Sequence, residues 1–176
     1  MSAGAPFNVY LRNNLHSDNA STLGMVVATY VVKAGDTLLE AFPLSLFKDG
    51  QYSIDVHGPN GFYRSYVGSA DAPAVLVHTS YEQRGANLTG NVQVLMSNLG
   101  KEPITVTIQD NAYKTGAFLK TLRPGRQTPV VINLDKSHSW YDFDVKVAGS
   151  TARSRFAGRV ETRRHGVTDP FMGGVV

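Results

Sequence analysis

The side chains able to do chemistry are few, and their spacing argues against catalysis. Histidines 16, 57, 78, 138 and 165 are scattered, with no His-x-His or His-Glu-x-x-His spacing. No metal site is therefore expected. His57 lies in a turn, where hydrogen bonding to its neighbours is the ordinary fate of a lone imidazole. There is no Gly-x-Ser-x-Gly nucleophile elbow and no phosphate-cradling loop. The chain has no cysteine, which removes disulfides, thiolate ligands and a cysteine nucleophile. Two aspartates hold matched contexts, Asp55 in Tyr52-Ser53-Ile54-Asp55-Val56 and Asp144 in Tyr141-Asp142-Phe143-Asp144-Val145. A general acid–base pair needs both carboxyls in one cleft. Two copies of one domain keep them apart, so each is expected to bond a neighbouring strand or an arginine. No catalytic residue and no cofactor is assigned.

The elements that position these groups are strands. Gln51 to Val56 alternates polar and apolar residues, the period of a half-buried strand, and Phe62 to Val67 resumes it until Gly68. Between them His57-Gly58-Pro59-Asn60-Gly61 reads as a hairpin turn. Pro59 is expected at its second position, and Asn60-Gly61 suits the positive φ that a hairpin's central residues need. A similar hairpin recurs at Tyr141 to Gly158. Lys33-Ala34-Gly35 matches Arg123-Pro124-Gly125 at an offset of 90, and Phe7–Asn13 resembles Val92–Asn98 at an offset of 85. Near-equal offsets over separate stretches predict tandem copies of one domain, residues 1–72 and 73–176.

At these two hairpins, His57-Gly58-Pro59-Asn60-Gly61-Phe62-Tyr63-Arg64-Ser65-Tyr66-Val67-Gly68 and Trp140-Tyr141-Asp142-Phe143-Asp144-Val145 with the tail Ser154–Pro170, the chain resembles the C-terminal domain of bacterial phospholipases C. In the phosphocholine-preferring members that domain stands as a tandem pair behind a large catalytic domain of alkaline-phosphatase-like type. The resemblance implies a non-catalytic segment, with the catalytic residues and the export signal in an N-terminal part. It also implies a secreted or periplasmic parent enzyme. The second copy departs from the pattern, reading Lys146-Val147-Ala148-Gly149 where the first has His-Gly-Pro-Asn-Gly-Phe.

With 42% hydrophobic and 18% charged residues the chain can bury a core. No apolar run approaches the ~20 residues of a membrane span, and no signal-peptide pattern opens it. The net charge of +3 is uneven: residues 1–72 carry four basic and six acidic side chains, residues 73–176 thirteen and eight. Asn13–Gly24 and Gln83–Gly90 read as polar loops. Thr37–Phe42 is ambiguous between strand and helix, with its match to Thr128–Ile132 favouring strand. Gly68–Pro73 carries the boundary. Strands are expected at Ala74–Tyr81, Asn91–Asn98, Ile104–Asp110, Ala117–Leu122, Pro129–Leu134, Trp140–Val147 and Ser154–Glu161. Turn signals every 8–12 residues predict an all-β chain of two tandem immunoglobulin-like antiparallel sandwiches. The tail from Gly166 is expected to wrap a sheet edge or fray.

The residues left for function are interaction candidates: His57, Asn60, Phe62, Tyr63, Arg64, Trp140, Arg153, Arg155 and Arg159. Phe62, Tyr63 and Tyr66 suit a hydrophobic contact with the catalytic domain of the same polypeptide, and Arg64 an acidic partner. A phospholipid membrane surface is the second reading, with Trp140 and Phe171 at the interface and arginines near headgroup phosphates. Trp140 beginning a core strand, and the arginines forming a solvated strand edge, are the plainer accounts. Carbohydrate or protein recognition comes third. Nucleic acid is not expected despite the pI of about 9.2, because the arginines follow no recognition element.

Overall fold

A computed structural model describes residues 4–12, 15, 24–162 and 165–172. It contains eleven strands and three short 3-10 turns among these residues. The strands are β1 (Gly4–Arg12), β2 (Met25–Lys33), β3 (Tyr52–His57), β4 (Tyr63–Gly68), β5 (Val75–Arg84) and β6 (Asn87–Asn98). They continue with β7 (Ile104–Asp110), β8 (Ala117–Leu122), β9 (Gln127–Ile132), β10 (Trp140–Val147) and β11 (Arg153–Arg159). All strand pairings among the described residues are antiparallel. The all-β expectation is met.

Eight strands form one sheet in the order β2-β1-β3-β4-β11-β10-β7-β8, and β5-β6-β9 form a second. The larger sheet is assembled from both halves of the chain. Its seam is β4 against β11, with Tyr66 opposite Ser154, Ser65 opposite Arg155 and Arg64 opposite Phe156. The small sheet lies over the β11-β10-β7-β8 half, and between them is a core that includes Val92, Val94, Met96, Val106, Ile108, Leu122, Phe143, Val145 and Phe156. Alternation produces this directly: in β10 Tyr141, Phe143, Val145 and Val147 point inward, each buried side chain contributing about 1.5–3 kcal/mol.

Over the other half no second layer of strands is seen among the described residues. Val9, Leu11 and Phe47 are buried there, with Tyr30, Phe42, Leu46, Tyr52, Ile54 and Val56 packed around them. The cover is the segment between β2 and β3, which has two 3-10 turns, Leu44–Leu46 and Lys48–Gly50. Thr37–Phe42 is thus not a strand, contrary to its match with β9. Of its apolar residues only Phe42 packs on the sheet face, and Leu38 and Leu39 stay exposed.

Two other expectations are corrected. Gln83–Gly90 is not a loop: β5 and β6 continue as a hairpin arm, turning at Gly85-Ala86, with a register shift between Tyr81 and Gln83. Its residues are polar because the arm's tip is solvated. By sheet position β1 corresponds to β7, since β1 flanks β3 as β7 flanks β10. Phe7–Asn13 therefore does not occupy the place of Val92–Asn98 in β6. Apolar alternation alone cannot tell two buried strands apart. Most of Asn13–Gly24 lies outside the described residues.

The seam is fastened by Arg64. Its Nη1 donates to the carbonyls of Tyr63 at 2.8 Å and Ala157 at 2.9 Å, and its Nη2 to Thr79 Oγ1 at 3.3 Å and Tyr141 Oη at 3.1 Å. The guanidinium carbon sits 4.2 Å from the Phe62 ring centroid and 5.2 Å from that of Phe156. One side chain so ties β4, β11, β10 and β5 together. Arg64→Met keeps the apolar stem and strands these acceptors, so it should lower stability by roughly 2–4 kcal/mol in urea denaturation. A loss under about 1 kcal/mol would show that the seam does not depend on it.

Candidate functional site

The first hairpin folds as its composition dictates, with one shift of register. Gly58 N–H donates to the Phe62 carbonyl at 2.8 Å, and Phe62 N–H to the Pro59 carbonyl at 3.1 Å. Asn60 and Gly61 occupy the centre with φ of 55° and 73°. Both positive values make this a type I′ turn, whose twist matches the strands it joins. Pro59 is the first residue of that turn, not the second. A Cβ on Gly61 would stand 3.0 Å from the Trp140 ring, so the glycine also lets the turn rest against the start of β10.

Alternation along β3, β4, β10 and β11 sends the candidate residues to two faces. On the outer face the cross-strand partners form one row through Tyr10, Asp55, Ser65, Arg155, Asp144 and Gln109. Asp55 is buried, accepts from the Tyr63 hydroxyl at 3.0 Å and pairs with Arg12 Nε at 2.5 Å. Asp144 is buried too, beside Asn111 Nδ2 at 3.3 Å and Lys146 and Arg153, each at 3.7 Å. Three strand steps separate the two carboxylates, roughly 14 Å at ~4.8 Å per step. They cannot share a proton, and both are held structurally.

Arg155 binds Asp142 in a two-pronged pair, Nε to Oδ1 at 2.8 Å and Nη2 to Oδ2 at 2.6 Å. That hydrogen bonding raises the pKa of its guanidinium above the usual value. His57 lies between Tyr10 and Tyr63, with ring centroids 5.3 Å and 4.8 Å away. Burial raises the Tyr63 hydroxyl's pKa, and its bond to Asp55 adds to this. His57, Tyr63, Arg153 and Arg155 thus belong to a charged outer face on which Arg12 and Arg155 are closely paired while Lys146 and Arg153 share Asp144. A headgroup phosphate there would have to displace Asp142 or Asp144.

The inner face holds Phe62, Arg64 and Tyr66. Phe62 and Tyr63 therefore cannot serve one hydrophobic contact, because neighbours in a strand point oppositely. The Arg64 guanidinium, expected to meet an acidic partner, is instead engaged within the chain. Asn60, Phe62 and Arg159 come together around a cleft of 200 Å³ beside the turn, with Phe7, Tyr81 and Tyr141. Trp140 starts β10 and donates from Nε1 to the Val167 carbonyl at 2.9 Å. With Tyr113 Oη donating to Asp169 Oδ1 at 2.9 Å, this holds Val167 and Asp169 of the tail against the sheet. Phe171 packs edge-on against Tyr113, 6.3 Å between centroids.

A further concavity was not expected. A groove of 630 Å³ runs between the inner face of β1–β4 and the segment 36–42. Its walls include Phe7, Val9, Tyr30, Val32, Leu38, Leu39, Phe42, Ile54, Val56, Phe62 and Tyr66, and its charged lining residues are Asp36 and Glu40. Leu39 is 92% exposed at the rim. Partial burial raises the pKa of the Tyr30 hydroxyl, and a hydrogen bond to Glu40 adds to the effect. The clue in the sequence was Leu38-Leu39-Glu40-Ala41-Phe42, apolar without a period. No group of three or more acidic or imidazole side chains is placed to hold a metal among the described residues.

Eleven antiparallel strands among the described residues, carrying these two hairpins, define an all-β domain. The family model described as bacterial phospholipase C, C-terminal domain, matches residues 1–69 and 73–159, and the chain belongs to that family. It is 35% identical to a non-hemolytic phospholipase C of Pseudomonas aeruginosa, over 97% of this chain and 24% of that protein. It is 34% identical to the hemolytic phospholipase C of the same organism, over 78% of this chain and 19% of the relative. A non-hemolytic phospholipase C of Burkholderia pseudomallei is 32% identical over 97% and 23%. The chain spans about a quarter of the length of these relatives or less.

The Arg155–Asp142 pair is half-exposed, so Arg155→Met or Asp142→Asn should each lower stability by about 1 kcal/mol. A double-mutant cycle by thermal denaturation should show the two effects to be coupled. Additive losses would mean that the pair is not formed in solution.

Proposed function

We propose that this chain is the non-catalytic C-terminal part of a bacterial phospholipase C. Phosphodiester hydrolysis of phosphatidylcholine-type lipids belongs to another part of the polypeptide, and this part serves as a scaffold that shapes access to it. The observation that carries the reading is the groove. An apolar channel of 630 Å³ with Leu39 fully presented at its rim leaves a hydrophobic face uncovered. Its charged lining residues are Asp36 and Glu40, both acidic. The occupant fitting both features is an apolar segment of the catalytic part flanked by lysine or arginine. Two copies of one module, residues 1–72 and 73–176, account for the paired hairpins, and the family model's two matched stretches support that division. Export of the parent enzyme from the cell is part of the same proposal.

The chain alone should hydrolyse neither phosphatidylcholine nor p-nitrophenyl phosphorylcholine. Turnover that co-purifies with the folded chain would refute this. Leu39→Asp leaves the fold of the isolated chain intact, because the side chain is solvated there. It should weaken association with the catalytic part, added in trans, roughly 10- to 100-fold, the value of one buried leucine at about 1.5–3 kcal/mol. The same substitution should lower the activity or melting temperature of the full-length enzyme. Unchanged association and activity would remove the groove from the interface. Leu39-dependent sedimentation with phosphatidylcholine vesicles would replace the scaffold by a membrane role.

A further inference from the structure

Of the three candidate arginines on β11, all meet a carboxylate, but Arg159 alone among the described residues also has a buried donor without a partner. Its side chain is 14% exposed, and its Nε is buried with no hydrogen-bond partner. Its one ion pair is a long contact, Nη1 to Glu161 Oε2 at 3.4 Å, toward a carboxylate that is itself 46% exposed. A buried guanidinium with one loose partner is costly, since both its charge and its donors have left water. Such a group is retained where something else completes it.

Arg159 lines a cavity of 240 Å³ built from three parts of the chain. The β6 end gives Thr89 and Gly90, the turn before β10 gives His138 and Ser139, and the tail gives Thr162 and His165. Among the described residues this lining holds one permanent cation, two imidazoles and three hydroxyls; the Thr89 hydroxyl is already bonded to Glu82 Oε2 at 2.7 Å, and Glu161 meets the guanidinium from beside the cavity. The walls are fixed. Val160 N–H donates to the Ser139 carbonyl at 2.9 Å, and the Tyr81 hydroxyl to the Arg159 carbonyl at 3.1 Å. The tail is tied down by the Trp140 bond to Val167. Gly166 stands against the Arg159 guanidinium, where any Cβ would collide with it. His138 and Ser139 hold successive positive φ values of 53° and 70°, a conformation rare for side-chain-bearing residues, and this turn places both on the cavity wall.

We infer that the Arg159 cavity binds a phosphoryl-type oxyanion, held by the guanidinium and completed by His138, His165 and the Ser139 and Thr162 hydroxyls. Donor-bearing side chains lining one cavity from three parts of the chain suit a tetrahedral anion better than a planar carboxylate, which one guanidinium edge would satisfy. A lipid headgroup and a soluble phosphate ester share this chemistry. The site is separate from the groove, and the inference holds whichever partner the groove takes.

Titration of the chain with inorganic phosphate, followed by ³¹P line broadening and by melting temperature, tests it. Binding should be saturable at millimolar concentration or below, raise the melting temperature, and weaken at least tenfold in Arg159→Met. If that variant does not fold, His138→Gln combined with His165→Gln serves, because both imidazoles are exposed; it should weaken binding several-fold while leaving the far-UV spectrum unchanged. Vesicles of phosphatidylcholine with an anionic phospholipid separate the sources. Sedimentation competed by phosphate assigns a headgroup, and phosphate binding without sedimentation assigns a soluble ester. No effect of phosphate on the native chain, or equal binding by the variants, overturns the assignment.

Discussion

The structure depends on the backbone pairing of β4 with β11. Each is the last strand of its own four-stranded run, and each would otherwise present unsatisfied N–H and C=O groups to solvent. Their pairing turns two runs into one eight-stranded sheet. The guanidinium placed on the join, in contact with aromatic faces and carbonyls, gives it side-chain specificity that the ladder alone lacks. A strand pair slipped by one residue would carry Arg64 to the outer face and bring Ser65 into the core.

From that join the two faces acquire different characters. The outer face is a charged surface whose closest ion pairs, Arg12 with Asp55 and Arg155 with Asp142, are made between neighbouring strands. The inner face is covered unequally, by a packed sheet over the second half and by an irregular segment over the first. An irregular cover leaves hydrocarbon in contact with water, and that imbalance directs attention to the groove. The arginines, conspicuous as a group, separate into buried and surface-paired only in three dimensions.

The strands and the two hairpins were legible because alternation and Asn-Gly chemistry are local. The paired carboxylates were legible as structural, since Asp55 and Asp144 recur within the repeated motif. What escaped were facts decided at long range. Which strand flanks β3 or β10 depends on topology, so a similarity between β1 and β6 misled. The Thr37–Phe42 segment packs without backbone pairing, and its composition looks like that of a strand. Arg64 and Arg159 resemble any other arginine in the sequence; their burial follows from strand parity and from a tail more than a hundred positions after the first hairpin's start.

The join between β4 and β11 also means that covalent continuity is not what holds the halves together. The connection from Ser69 to Ala74 has no strand pairing of its own, while the ladder and the guanidinium beside it span the seam directly. A protease nick in that connector need not separate the pieces: the two fragments carry complementary edges and could persist as a noncovalent heterodimer, or find one another again when mixed.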